Sequence, residues 1–216
     1  MTPKRYLPTL LISCLACGLW AGAAHAQWKL SSQPLKTIGG MQTPESVCVD
    51  PETKLLYVSN IVGEGWERDY EGYITRLKPD GSADAPRWRD TTPDARLSAP
   101  KGMCILKGYL YVADIDMVHR FSLKGDEAQT LVVKGAAKLN DMAADKECVY
   151  ASDTETGKVW KLSADLSQAS SIQGPASINE IALADGKLLA VSWDLHDVYE
   201  LDHSGAAAPR AFGLAK

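Results

Sequence analysis

The sequence predicts an all-β fold, a propeller built from four-stranded antiparallel blades. Three observations carry that expectation. A unit of roughly 40 residues recurs four times along the chain. Each copy holds short apolar strand patterns divided by turn residues, and no stretch keeps a helical apolar period over three turns.

The four units align residue by residue. The first runs Pro44-Glu45-Ser46-Val47-Cys48-Val49, then Leu56-Tyr57-Val58-Ser59-Asn60, then Ile74-Thr75-Arg76-Leu77. The second has Pro100-Lys101-Gly102-Met103, Leu110-Tyr111-Val112-Ala113-Asp114 and Val118-His119-Arg120-Phe121. Leu139-Asn140-Asp141-Met142 opens the third and Ile178-Asn179-Glu180-Ile181 the fourth. Pro100 to Leu139 is 39 residues, and Leu139 to Ile178 is 39 again; Pro44 to Pro100 is 56, because the first unit carries a longer loop around Gly63-Glu64-Gly65-Trp66. Weaker fourth strands are expected at Pro86 to Arg89, Thr130 to Val133 and Ser170 to Ile172, with Pro79-Asp80-Gly81, Thr156-Gly157 and Ala184-Asp185-Gly186 as turns. Blades are therefore expected at about 40–98, 99–137, 138–176 and 177–213. A propeller must bring its ends together or leave blade faces and strand edges in water, so these four are read as part of a longer ring.

Residues 1–26 read as a secretory signal. Lys4 and Arg5 precede a mostly apolar stretch from Leu7 to Ala23, and Ala24-His25-Ala26 supplies the small residues of a cleavage site before Gln27. A lipoprotein anchor at Cys14, after Leu11-Ile12-Ser13, is the alternative. Either way the protein is expected to be periplasmic or secreted, without a membrane span in the mature part, 27–216. Loss of the signal leaves 21 basic against 27 acidic residues and no basic stripe, which argues against a nucleic-acid partner. It also leaves Cys48, Cys104 and Cys148, too few for a disulfide framework and expected as small thiols within strands.

Candidate site residues come from the repeat itself. The second position of each first strand holds Glu45, Lys101, Asn140 and Asn179, where a core position would be apolar. Polar side chains recurring beside a propeller axis mark the first place to look for a site. Glu45, Asn140 and Asn179 offer oxygen ligands of the kind hard cations take. The other reading is that they hydrogen-bond backbone and water around the channel.

Thr43-Pro44-Glu45-Ser46, then Asn140-Asp141 and Asn179-Glu180 in that order across successive units, resemble the gluconolactonase, regucalcin and luciferin-regenerating-enzyme-like family. The resemblance implies a six-bladed propeller with an axial divalent cation (calcium first; magnesium, manganese or zinc as alternatives). It also implies hydrolysis of sugar lactones or related cyclic esters, with a small molecule as substrate. Carried over, Glu45 and Asn179 would be metal ligands, and Asn140 a residue near metal and substrate. The family's last ligand, an aspartate in a fifth blade, has no counterpart here, and Glu180 stands where the family commonly has glycine. Lys101 would repel a cation, or else face away or stabilise an oxyanion as a catalytic residue. The rival function is a non-catalytic propeller that binds a ligand or a protein.

Other constellations add little. His119, His196 and His203 lack metal-ligand spacing, and no phosphate loop, nucleophile elbow or HExxH occurs. The loop bearing Trp66, Glu67, Asp69, Tyr70 and Glu71 is read as a solvated insertion, with a lid or sugar platform as the alternative. Asp114, Asp116, Asp153 and Asp194 follow second strands and are expected to cap turns.

Overall fold

The computed structural model describes residues 36–213; the signal segment 1–26, with Cys14, lies outside them. Among the described residues sixteen strands form four separate four-stranded sheets. Blade 1 is β1 (Pro44–Val49), β2 (Leu56–Asn60), β3 (Tyr73–Leu77) and β4 (Ala83–Arg89). Blade 2 is β5 (Pro100–Leu106), β6 (Tyr109–Asp114), β7 (Met117–Ser122) and β8 (Ala128–Val132). Blade 3 is β9 (Leu139–Ala144), β10 (Cys148–Asp153), β11 (Lys158–Ser163) and β12 (Ala169–Gln173). Blade 4 is β13 (Ile178–Ala184), β14 (Lys187–Ser192), β15 (Asp197–Leu201) and β16 (Arg210–Ala211). Within each sheet the strands pair antiparallel in chain order, so every blade is a meander. The expected weak fourth strands are present, and the described residues contain no helix long and apolar enough to cross a membrane.

The first strand of each blade is the innermost, and these strands pack in succession, β1 on β5, β5 on β9 and β9 on β13. Alternation along the strands sends one set of side chains to the preceding blade and the other to the next. Three cores result. Tyr57, Ile74, Met103, Leu110 and Phe121 fill the gap between blades 1 and 2; Tyr111, Met142, Val149 and Leu162 lie in the second gap. Tyr150, Val159, Ile181 and Leu188 fill the third. The tyrosines at equivalent positions, Tyr57, Tyr111 and Tyr150, are almost wholly buried. Tyr111 donates its hydroxyl proton to the Ala164 carbonyl at 2.5 Å and Tyr150 to Asp145 at 2.7 Å. Cys48, Cys104 and Cys148 lie in strands as free thiols, and burial pushes Cys48 up to about 11.

A second repeating device fixes the entry into each innermost strand. The residue ending the second strand is Asn60, Asp114, Asp153 or Ser192. Asn60 accepts from the Gln42 amide, Asp114 from Ser98 and Ala99, and Asp153 from Ala137 and Lys138. Ser192 donates instead, to the Ala176 carbonyl. Asn60 and Asp153 also bond a third-strand side chain, and Asp114 lies beside one. Asn60 donates to Thr75, the Trp160 indole donates to Asp153, and His119 Nε2 lies 3.4 Å from Asp114. His119 is thereby a wholly buried structural residue. Asp194 accepts from Ser177, whereas Asp116 pairs with Arg68 of the long first-blade loop.

Candidate functional site

Every innermost strand is bulged at the same place. Pro44 pairs with Asn60 and Val47 with Val58, so Glu45 and Ser46 together oppose Ser59 alone. Likewise Lys101 and Gly102 oppose Ala113, Asn140 and Asp141 oppose Ser152, and Asn179 and Glu180 oppose Val191. A bulge breaks the two-residue alternation, re-aiming side chains that a regular strand would send to opposite faces. Four such bulges on neighbouring strands bring eight residues to one end of the inner wall. The signal was visible in the sequence as a polar doublet, Glu-Ser, Lys-Gly, Asn-Asp and Asn-Glu, where alternation allows one polar residue. Reading only the first member of each doublet missed Asp141 and Glu180.

These bulges interlock. The Asp141 amide donates to Ser152 Oγ at 2.9 Å, and Ser152 Oγ donates to the Asn179 carbonyl at 2.6 Å, tying blade 3 to blade 4. In blade 1 the Ser46 amide bonds Ser59 Oγ at 3.0 Å. Blades 2 and 3 approach so closely that a Cβ on Gly102 would stand 2.5 Å from Asp141 Cα and 2.8 Å from the Asn140 carbonyl oxygen. Only glycine fits there.

Asp141 and Glu180 come from adjacent blades and influence each other electrostatically. Asp141 Oδ2 accepts from the Ile181 amide at 2.9 Å. Burial first, then the neighbouring Glu180 carboxyl, raises Asp141 to about 7, against the pull of its backbone amide bonds. Glu45 is open to water on one side. The protein on its other side raises its carboxyl above the usual range, Lys101 lowers it, and Glu180 raises it further. Thus Glu45, Lys101, Asp141 and Glu180 share one electrostatic neighbourhood spanning all four blades.

Lys101 is only 3% exposed. Its ammonium donates to the Gly65 carbonyl at 2.5 Å and more weakly to Ala99 at 3.4 Å, and it sits 4.1 Å from the centre of the Trp66 ring. Burial lowers its basicity while Glu45 and Asp114 restore part of it. The long first-blade loop is therefore not a free solvated insertion. Lys101 holds it through Gly65 and Trp66, and the 2.5 Å Arg68–Asp116 pair holds it to blade 2. An aromatic ring meeting a desolvated ammonium supplies the physical reason.

Glu45, Asn140 and Asn179 have no side-chain hydrogen bond among the described residues, so their polar atoms remain available. Glu45 and Asn179 supply oxygen donors, but the described residues contain no group of three His, Cys, Asp or Glu arranged to hold a metal ion. The donor set fits a divalent cation only in part, and Lys101 beside Glu45 weakens it further.

No sequence-family model and no curated protein matches this chain. Solved structures do. Virginiamycin B lyase from Staphylococcus aureus superimposes with a TM-score of 0.58 at 12% identity, over 78% of this chain and 55% of that one. An inactive H270A form of that lyase, with quinupristin, gives 0.59 at 11%, over 85% and 74%. A nidogen/laminin complex gives 0.50 at 15%, over 76% and 77%. The fold is a β-propeller. The chain spans little more than half the length of the first of these structures, and at such identities the likeness is one of fold alone.

Proposed function

We propose that this protein is a small-molecule hydrolase of the sugar-lactone or related cyclic-ester class, acting in an exported compartment. The observation that carries the reading is the bulged end of the inner wall, where Asp141, bonded to the Ile181 amide of the next blade and raised by burial to about 7, stands beside Glu180. A carboxyl that titrates near neutral pH serves as base and acid in turn. Asp141 takes a proton from the attacking water and hands it to the alkoxide released when the ring ester opens. In this reading Lys101, which donates to Gly65 and Ala99, contributes its charge and remaining donor to the tetrahedral oxygen. Asn140 and Asn179 contribute amide groups for sugar hydroxyls, and the Trp66 face, more than a third exposed, suits stacking of a sugar ring. A divalent cation on Glu45 and Asn179, calcium first, belongs to this proposal as an addition that needs a further ligand.

A panel of sugar and alkyl lactones, assayed with and without chelator, tests it. Turnover that falls at least roughly a hundredfold in Asp141→Asn is expected, with an acid-side limb lost from the pH profile. Chelator sensitivity would add the ion to the mechanism, and no turnover of any lactone would overturn the hydrolase reading. The second reading, a binding scaffold, is favoured by the apolar surface of blade 4, where Trp193 is 70% exposed.

A further inference from the structure

The long first-blade loop reaches the bulged end of the inner wall without joining any apolar core. No residue from Val62 to Glu71 belongs to the buried clusters between the blades. Polar and cation–aromatic contacts hold it instead. The Lys101 ammonium of blade 2 takes the Gly65 carbonyl at 2.5 Å and stands 4.1 Å from the centre of the Trp66 ring. The Lys138 ammonium, one residue before β9 of blade 3, lies 5.8 Å from the same ring. Arg68 pairs with Asp116, on the β6–β7 turn, at 2.5 Å. A segment that starts in blade 1 therefore reaches the first strands of blades 2 and 3 at the end where Lys101, Asn140 and Asp141 stand.

The two ends of the segment lie together. A Cβ on Gly63 would stand 2.7 Å from Asp69 Oδ2, so 63–69 is a compact loop closed at its base. The backbone at that base is left-handed, with φ of 55° at Val62, 73° at Gly63 and 61° at Tyr70. For a β-branched residue such as Val62 this conformation is costly. Thr91 Oγ1 donates to the Tyr70 carbonyl at 2.7 Å, and the Arg96 guanidinium lies 5.2 Å from the centre of the Tyr70 ring, which anchors one side of the base.

We propose that 63–69 is a lid over the bulged end of the inner wall, turning about Val62–Gly63 and Tyr70, with Lys101 as its catch. Swinging it away breaks a few polar contacts and uncovers no apolar core, so it opens while the blades stay folded. Closed, it covers Lys101 and sets the Trp66 ring at the entry. What it admits, a small lactone, rests on the hydrolase reading; its motion does not.

A glutamate-specific protease, which cuts after Glu64 or Glu67 once the loop has opened, reads that motion. Cleavage in the wild-type protein is expected to be independent of urea at low urea concentration, the mark of a local opening. Lys101→Met and Asp116→Asn should each raise its rate about tenfold, the effect of one lost charged hydrogen bond on the opening equilibrium. Asp116 lies outside the inner wall, so Asp116→Asn should leave the melting midpoint unchanged and separate loosening of the loop from loss of the fold. The same variant should raise kcat/KM for bulky lactones over small ones by roughly threefold. Cleavage that rises with urea in step with global unfolding would overturn the proposal, because the loop would then be a fixed strap. So would an unchanged cleavage rate in both variants, or an unchanged preference for lactone size where the loop opens faster. The protease arm needs no substrate, so a failed lid and a failed hydrolase reading are told apart.

Discussion

At the scale of single residues, the molecule turns on two positions where neighbours leave no choice. Asp141 holds its proton to about 7 in the folded chain, against 3.8 for an ordinary aspartate. A carboxyl whose folded pKa is raised contributes stability that is fully present below the unfolded value and lost as pH rises through the folded one. Glu45 is shifted in the same direction. The melting temperature should therefore fall between pH 4 and pH 8. A loss on the order of 2 kcal/mol allows for the partial solvent access of the pair. Asp141→Asn should flatten that slope, and thermal melts at several pH values would show it; an unchanged slope would place the titration elsewhere. Gly102 is the second such position. Gly102→Ala sets a methyl against the backbone of Asn140 and Asp141, which cannot rotate away, so a loss of about 2–3 kcal/mol in denaturant melts is expected.

At the scale of elements, the bulge and the strand-end cap act together. The cap draws the entering chain onto the end of the second strand, and the bulge two residues later turns the polar doublet toward the neighbouring blade. Asp153 shows how much one cap carries. Its carboxylate accepts from the amides of Ala137, Lys138 and Thr156 and from the Trp160 indole, and these many bonds hold its pKa below the usual range despite burial. Asp153→Ala leaves several buried donors without a partner, so it should cost at least about 3 kcal/mol, measurable as a lowered urea midpoint. Asp153→Asn keeps the shape and one acceptor oxygen, and should cost clearly less. Equal losses from the two would mean that packing, not the hydrogen bonds, sets the cost.

At the scale of the whole molecule, stability is the sum of blades and the interfaces between them. Blades 2 and 3 each have a core on both faces, whereas blades 1 and 4 each have one. Amide exchange should be slowest in β6 and β10, which are flanked by buried tyrosines and closed on both sides, and fastest in β14 to β16. Mass-resolved exchange on proteolytic fragments reads this blade by blade. Uniform protection across all four would show a fully cooperative unit rather than an array.

The repeat made the fold legible, because each blade must offer the same two apolar faces to its neighbours, and that requirement recurs in the sequence at a fixed interval. Tyr57, Tyr111 and Tyr150 recur at the same place in successive second strands for this reason. Glu45, Lys101, Asn140 and Asn179 were found in the same way, as polar breaks in an apolar pattern. Their neighbours Asp141 and Glu180 were not singled out, because alternation assigns adjacent residues to opposite faces and a bulge is a local exception to it. The pairing of Asp141 with Glu180 needs two blades at a definite distance. The capture of Lys101 by Gly65 and Trp66 needs a loop folded back across 36 residues of chain. Local pattern thus determined the blades and the end of them where polar side chains gather. Which side chains meet there was decided by tertiary structure, because contacts between blades depend on distances that no single strand contains.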